Sequence, residues 1–347
     1  MSGIRDNTDW NDLFVRTALS ESSPVGRVGG LSSPDIIPWG TQPVTPSTFT
    51  TEDSYKKYVS TTGFLSGQPN YIYVRARNSS STTDAVGEAY LVLTNPALVL
   101  WPGGDGWTSI LTDKGKTSSP LKTGGKTAIA PNGIAVTEDP FVYVPPDSGH
   151  RCLVTWLSTK AHPVTQPPPK ITDGQALAKF LIDNPNYAHH NLDIAPNTTG
   201  TRSFRAPLST GTEDGTWACG FRFKNCKGFV LSFSSAQPMP NGEYLKMDPF
   251  VVQNNDELTV LTKAMTLDKN WNIEVNCTCV TNNLEPPGWS VEFVAELVVN
   301  AYNDPELMAA ATPLYADFGL DMAEVSALGL RSIRVGSLGI INGDSAA

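Results

Sequence analysis

Apolar and polar positions alternate with a period of two through most of the chain, which predicts strands. The clearest stretch is Tyr71-Ile72-Tyr73-Val74-Arg75-Ala76-Arg77. Ile72, Val74 and Ala76 share one face and Tyr71, Tyr73, Arg75 and Arg77 the other, so a half-buried strand is expected. Asn78-Ser79-Ser80-Ser81 turns the chain, and strands follow over 88–94, 97–101, 133–136, 141–144 and 151–158. Short strands with frequent turns predict a β-sandwich over residues 51–168.

The flanking segments read differently. Residues 1–50 carry Pro24, Pro34, Pro38, Pro43 and Pro46, too many for a helix or a central strand, so an extended arm is expected. Trp10, Leu13, Phe14 and Trp39 are the residues that would pin it to the protein's own core. Residues 169–194 read as a helical linker. Thr172 and Asp173 offer N-caps, Ala176–Ile182 are helix formers, and Asn184-Pro185 stops the helix.

A second sandwich is predicted over 195–302. Trp217, Cys219, Phe221 and Phe223 alternate with smaller or polar residues. Trp271, Ile273, Val275, Cys277 and Cys279 share a face, and after Glu285-Pro286-Pro287-Gly288 a return strand turns Val291, Phe293, Ala295, Leu297 and Val299 inward. The pair reads as a hairpin, with Ser290, Glu292, Glu296 and Asn300 in water. Residues 303–347 read as a mixed segment, a short helix or two and then the strand-like RSIRVGSLGI.

Composition fits this all-β picture. Gly 29 and Pro 27 in 347 residues, with only 17% charged, argue against helical bundles and coiled coils. The net charge of −9 comes without any Lys/Arg cluster, so no positive stripe exists to displace the counterions of a phosphate backbone. Nucleic acid is therefore not an expected partner. Met1–Ser20 lacks the basic start and apolar core of a secretory signal, and no run of ~18 apolar residues follows anywhere. The expectation is a protein made soluble in the cytoplasm, released by a non-classical route if it acts outside. Cys152, Cys219, Cys226, Cys277 and Cys279 lack zinc-ligand or framework spacing and read as buried, reduced thiols.

Candidate chemistry is sparse. Lys114-Gly115-Lys116-Thr117 and Gly124-Gly125-Lys126-Thr127 look like phosphate loops, but the required first glycines are Ile110 and Pro120 and no helix is predicted after either. His189-His190 are adjacent, so their rings diverge rather than converge on a metal. The pairs Glu52-Asp53, Glu138-Asp139 and Glu213-Asp214 sit in polar loops and read as solvated charge. No G-x-S-x-G elbow is present. No catalytic residue, metal ligand or cofactor is thus singled out, and the chain is expected not to be an enzyme. The ligand-binding candidates are Trp101, Asp105 and Trp107 in the loop Trp101-Pro102-Gly103-Gly104-Asp105-Gly106-Trp107. Glycines could leave the indoles open to a sugar or partner with Asp105 as acceptor. The alternative is that both indoles plug the end of the sandwich.

Several strings together resemble a known family. Ser33-Pro34-Asp35-Ile36 precedes Asn70-Tyr71-Ile72-Tyr73-Val74-Arg75-Ala76-Arg77-Asn78. Gly149-His150-Arg151-Cys152-Leu153 and then Asp183-Asn184-Pro185-Asn186-Tyr187-Ala188-His189-His190-Asn191-Leu192 follow. This order resembles bacterial immunoglobulin-like β-sandwich modules of the cell-adhesion-related kind over residues 33–192, with an echo at Pro286-Pro287-Gly288-Trp289. The 80s loop and the Trp101–Trp107 stretch depart from that pattern. The resemblance implies two immunoglobulin-like antiparallel units with non-catalytic binding or spacer roles. The whole chain also resembles bacterial insecticidal and host-interaction proteins. That implies a binding protein for a host-cell surface receptor or partner protein, such as a second toxin component. The alternatives are a carbohydrate-binding protein, with a glycan as partner, or a structural subunit of a larger particle; a homo-oligomer is a further partner expectation.

Overall fold

A computed structural model describes residues 10–25, 27, 33–57, 59, 64, 66–94, 101–146, 149–171, 174–194, 201–210, 214–239, 241–262, 265–282, 284, 286, 289–300 and 330–341. Strands dominate, all pairs are antiparallel, and two α-helices occur among the described residues. None of the helices there is long and apolar enough to cross a membrane.

The first unit turns on β3 (Asn70–Asn78). Its first half pairs with β2 (Ile36–Gly40) and β8 (Phe141–Tyr143), its second half with β7 (Ile134–Thr137) and β1 (Leu13–Phe14). A strand that changes neighbours along its length bends the sheet that contains it. The sheet continues from β7 through β6 (Ser118–Lys122), β4 (Gly87–Thr94) and β9 (Gly149–Thr159) to β10 (Tyr187–Ile194), with β5 (Thr108–Ser109) beside β4. Two stacked sheets were the expectation for this unit. Instead one ten-stranded sheet curls, nearly barrel-like, around a core that includes Leu13, Ile72, Val74, Leu91, Leu121, Leu153 and Leu157.

The arm joins the two ends of this sheet. Leu13 and Phe14 pair with β3, while Val15 N–H donates to Pro185 O (3.0 Å) and Ser33 N–H to His189 O (2.9 Å). Leu13, Phe14 and Val15 are buried, so the arm packs on its own core as its apolar residues imply. Trp10 stacks on His162 (3.9 Å between centroids), and Trp39 meets Phe49 edge-on. The arm and helix α1 (Glu52–Tyr55) cover the outer face of β3. Tyr73 and Arg75, expected to face water, are therefore buried.

Helix α2 (Gly174–Asp183) forms where predicted and ends at Asn184-Pro185; its expected caps Thr172 and Asp173 lie outside the described residues. The 169–194 segment is more than a linker, because β10 pairs with β9 along its whole length. Leu177 and Leu181 pack with Trp156 and Tyr187, whereas Ile182 enters the core of the second unit. One helix thus serves two cores.

The second unit is a sandwich. One sheet runs β11 (Thr201–Ser209), β17 (Asn272–Val280), β13 (Val230–Ser235), β14 (Lys246–Val251). The other runs β15 (Leu258–Leu261), β12 (Gly215–Lys224), β18 (Ser290–Asn300), β19 (Leu330–Ile341), with β16 (Met265–Leu267) also on β12. Phe221, Phe233 and Phe293 meet edge-on between them. The first strands alternate between sheets, so the order differs from the A-B-E-D and C-F-G sheets of an immunoglobulin domain.

Two expectations fail here. The predicted 271–300 hairpin is not one: β17 pairs with β11 and β13, and β18 with β12 and β19. Two strands with one apolar face each can lie side by side or face to face, and alternation does not distinguish these. Thr281, just after β17, and Trp289, just before β18, are both buried. Nor is the outer face of β18 wet, since Glu292, Val294 and Glu296 are buried. In register, Glu292 stands opposite Arg222 of β12. The strand expected in the tail is β19; the helices expected before it lie outside the described residues.

Candidate functional site

The structure places the predicted ligand-binding tryptophans inside. Trp101 and Trp107 are 1% and 9% exposed and meet edge-on (5.9 Å) in the core that α2 forms with the β4–β9–β10 face. Their donors are used internally: Trp101 Nε1 donates to His189 Nδ1 (2.8 Å) and Trp107 Nε1 to Pro168 O (3.0 Å). Asp105 is exposed but stands apart from any open indole face. The glycines allow close approach rather than exposure. Gly103 has φ +69°, and a Cβ there would lie 2.6 Å from the Lys170 backbone nitrogen. Gly103→Ala should therefore cost ~2 kcal/mol or more, and Gly104→Ala, at φ +46° with open space around it, about 1. Thermal unfolding of the two variants checks this; equal losses would show that the Lys170 contact is immaterial.

The strings that carry the family resemblance form two buried networks. In the first, Asp35 accepts from Arg16 Nε (3.0 Å), Arg16 Nη2 (2.7 Å) and Arg75 Nε (2.8 Å). Arg16 also lies 3.4 Å over the Tyr55 ring and donates to Tyr55 O (2.7 Å). Burial opposes the charge on Asp35, but the two guanidiniums outweigh it and hold the carboxyl below its usual range. Arg27, fully buried, donates to Val15 O, Asn184 O and Tyr187 O.

In the second network His189 Nε2 lies 2.5 Å from Asn191 Oδ1, which also accepts from the Cys152 thiol (2.9 Å). His190 Nδ1 meets Ser33 O (2.8 Å). Burial pushes Cys152 well above the ordinary thiol range, the opposite of what a nucleophilic thiolate needs. Both networks tie the arm and its neighbours together and lie out of reach of a solute.

The other motifs resolve into ion pairs and turns, and Asp139, expected as solvated charge, is buried. Lys114 pairs with Asp139 (2.5 Å), Lys122 with Glu138 (2.7 Å) and Arg77 with Glu52 (2.9 Å), so the adjacent carboxylates form ion pairs. The lookalike phosphate loops are tight turns with positive φ at Gly115, Gly124 and Gly125. All five cysteines are free and buried. Among the described residues no three His, Cys, Asp or Glu side chains converge as metal ligands.

The surface offers an open depression that sequence reasoning passed over as a candidate site. Ser234 of β13, Glu243 and Tyr244 of the β13–β14 connection, and Lys246 at the start of β14 line this depression of about 630 Å³. Met239 and Leu245 are buried and anchor the loop. Backbone bonds close it: Met239 N–H to Glu243 O (2.6 Å), Gly242 N–H to Met239 O (2.8 Å) and Ser235 N–H to Leu245 O (2.8 Å). Ser235 Oγ accepts from Leu245 N–H (3.2 Å), and Asn241 Oδ1 from Glu243 N–H (3.0 Å). With Leu245 held inward, its neighbour Tyr244 points out, 50% exposed. The available signal was Asn241-Gly242, a turn dipeptide, with an aromatic residue, Tyr244, two positions after its glycine.

No family model and no curated protein matches the chain, so the immunoglobulin-like resemblance stands on its sequence strings. Solved structures align at low similarity. The isomalto-dextranase of Arthrobacter globiformis T6 complexed with panose is 10% identical over 67% of this chain, with a TM-score of 0.19. The chain spans about a third (35%) of that enzyme's length. CfaE, the adhesive subunit of the CFA/I fimbria of enterotoxigenic Escherichia coli, is 9% identical over 95% of this chain and 92% of its own, with a TM-score of 0.18. Scores at this level carry no argument about fold or role.

Proposed function

We propose that this chain is a non-enzymatic binding protein that recognises a host or partner surface, and that the contact is made at the Tyr244 depression. The supporting observation is a loop held in place by buried anchors and backbone hydrogen bonds, with a half-exposed aromatic ring aimed outward between charged neighbours. A ring that is already ordered loses little entropy on contact, which is why Tyr recurs at binding hot spots. The insecticidal or virulence setting comes from the sequence resemblance alone.

Surface binding should be lost with Tyr244→Ala while the unfolding temperature stays within a degree or two of the parent, since an exposed side chain contributes little stability. The assay is surface plasmon resonance of the parent and Tyr244→Ala chains against peptides, glycans and lipid vesicles. Binding of any probe that ignores the substitution would move the contact elsewhere.

A further inference from the structure

We infer that the Tyr244 depression takes a neutral saccharide. The inference rests on the reading of that depression as the contact site, and it adds the ligand's chemical class. The lining supplies one flat apolar face, the Tyr244 ring, and three polar groups of different kinds: the Ser234 hydroxyl, the Glu243 carboxylate and the Lys246 ammonium. Glu243 and Lys246 carry opposite charge, and Lys246 is shared with Asp248, so no surplus cation is left to hold an anion. A single exposed ring without further apolar walls gives a hydrocarbon side chain too little to bury.

A pyranose ring matches what is there. Its C–H face lies against an aromatic ring, and its hydroxyls both donate and accept, meeting a carboxylate, an ammonium and a hydroxyl at once. Lys246 Nζ already donates to Asp248 Oδ1 (3.1 Å), and Glu243 Oε2 accepts from Asn241 Nδ2 (3.4 Å). Each charged group keeps further hydrogen-bonding capacity. The depression is open and about 630 Å³, room for a sugar ring that stays partly in water. The sugar face expected at Trp101 and Trp107 is thus assigned to a different loop in the other unit.

The test is an amide-resonance titration of the full chain with neutral glucose, galactose, mannose and N-acetylglucosamine trisaccharides. Tri-lysine and tri-glutamate peptides serve as charged comparators. At least one neutral trisaccharide should shift the resonances of residues 234 and 243–246. Tyr244→Ala should weaken that binding at least tenfold, and Tyr244→Phe should keep it within about threefold. Shifts at these residues with the peptides but no sugar would overturn the saccharide while leaving the site. Shifts with no probe, or sugar binding indifferent to Tyr244→Ala, would overturn both.

Discussion

Asp35→Ala should lower the stability of the first unit by about 3–5 kcal/mol, because it leaves two buried guanidiniums facing each other without their shared carboxylate. Arg16 and Arg75 are 1% and 0% exposed, so water cannot replace the lost partner without opening the arm. Their remaining acceptors, Tyr55 O for Arg16 and Ser54 O and Pro34 O for Arg75, solvate the cations but do not neutralise them. Since ordinary domains are stable by roughly 5–15 kcal/mol, a loss of that size removes a large part of the total. Urea unfolding followed by a first-unit probe such as Trp156 gives the magnitude, and limited proteolysis gives the place. New cleavage within residues 10–35 is expected, since Asp35 and Arg16 both lie on the arm. A midpoint unchanged by the substitution would show that the network is dispensable. The triple change Arg16→Met, Asp35→Leu, Arg75→Met should recover much of the loss, because apolar residues of similar volume avoid the desolvation cost.

That network also shows how far the sequence could be read. Period two correctly assigned Ile72, Val74 and Ala76 to the core, because side chains alternate on any strand. It put Arg75 in water because charge usually means exposure, and the partner that makes its burial tolerable lies forty residues earlier in Asp35. The helix at 176–182 was legible from local signals, as caps and stops act within a few residues. The curl of the first sheet was not, since it depends on β3 exchanging neighbours halfway along. The same limit turned the 271–300 arch into an apparent hairpin. The open site was hidden for another reason: Tyr244 is one aromatic residue in a polar loop, and only the burial of Leu245 and Met239 shows which way it must point.

Acid should destabilise the first unit from pH 6.5 downward, a loss that begins well above the range in which carboxylates protonate. His189 and His190 are buried at the seam between β10 and the arm, and hydrogen bonding fixes the tautomer of each. An indole N–H can only donate, so His189 Nδ1 must accept from Trp101 and carry no proton; Nε2–H then donates to Asn191. Ser33 O can only accept, so His190 Nδ1 must carry the proton. A second proton on His189 would set two N–H groups against each other. Burial pushes His189 down to about 3 and His190 to about 4, against 6.5 for an exposed imidazole. Between these values the unfolded chain binds more protons than the folded one, so stability rises with pH and is lost as pH falls below 6.5. At ~1.4 kcal/mol per pH unit, each histidine contributes about 3 kcal/mol by pH 4, and the two together somewhat less than twice that because they are adjacent. Asp35 acts the other way in range: its lowered carboxyl adds a loss only below about pH 3.8. Urea midpoints measured from pH 7 to 4.5 should fall steadily for the parent chain. His190→Asn retains an N–H for Ser33 O without a titrating ring, so its midpoint should fall less steeply, by close to one proton's share. A parent midpoint that stays flat over this interval would mean that the two histidines are not held neutral by burial.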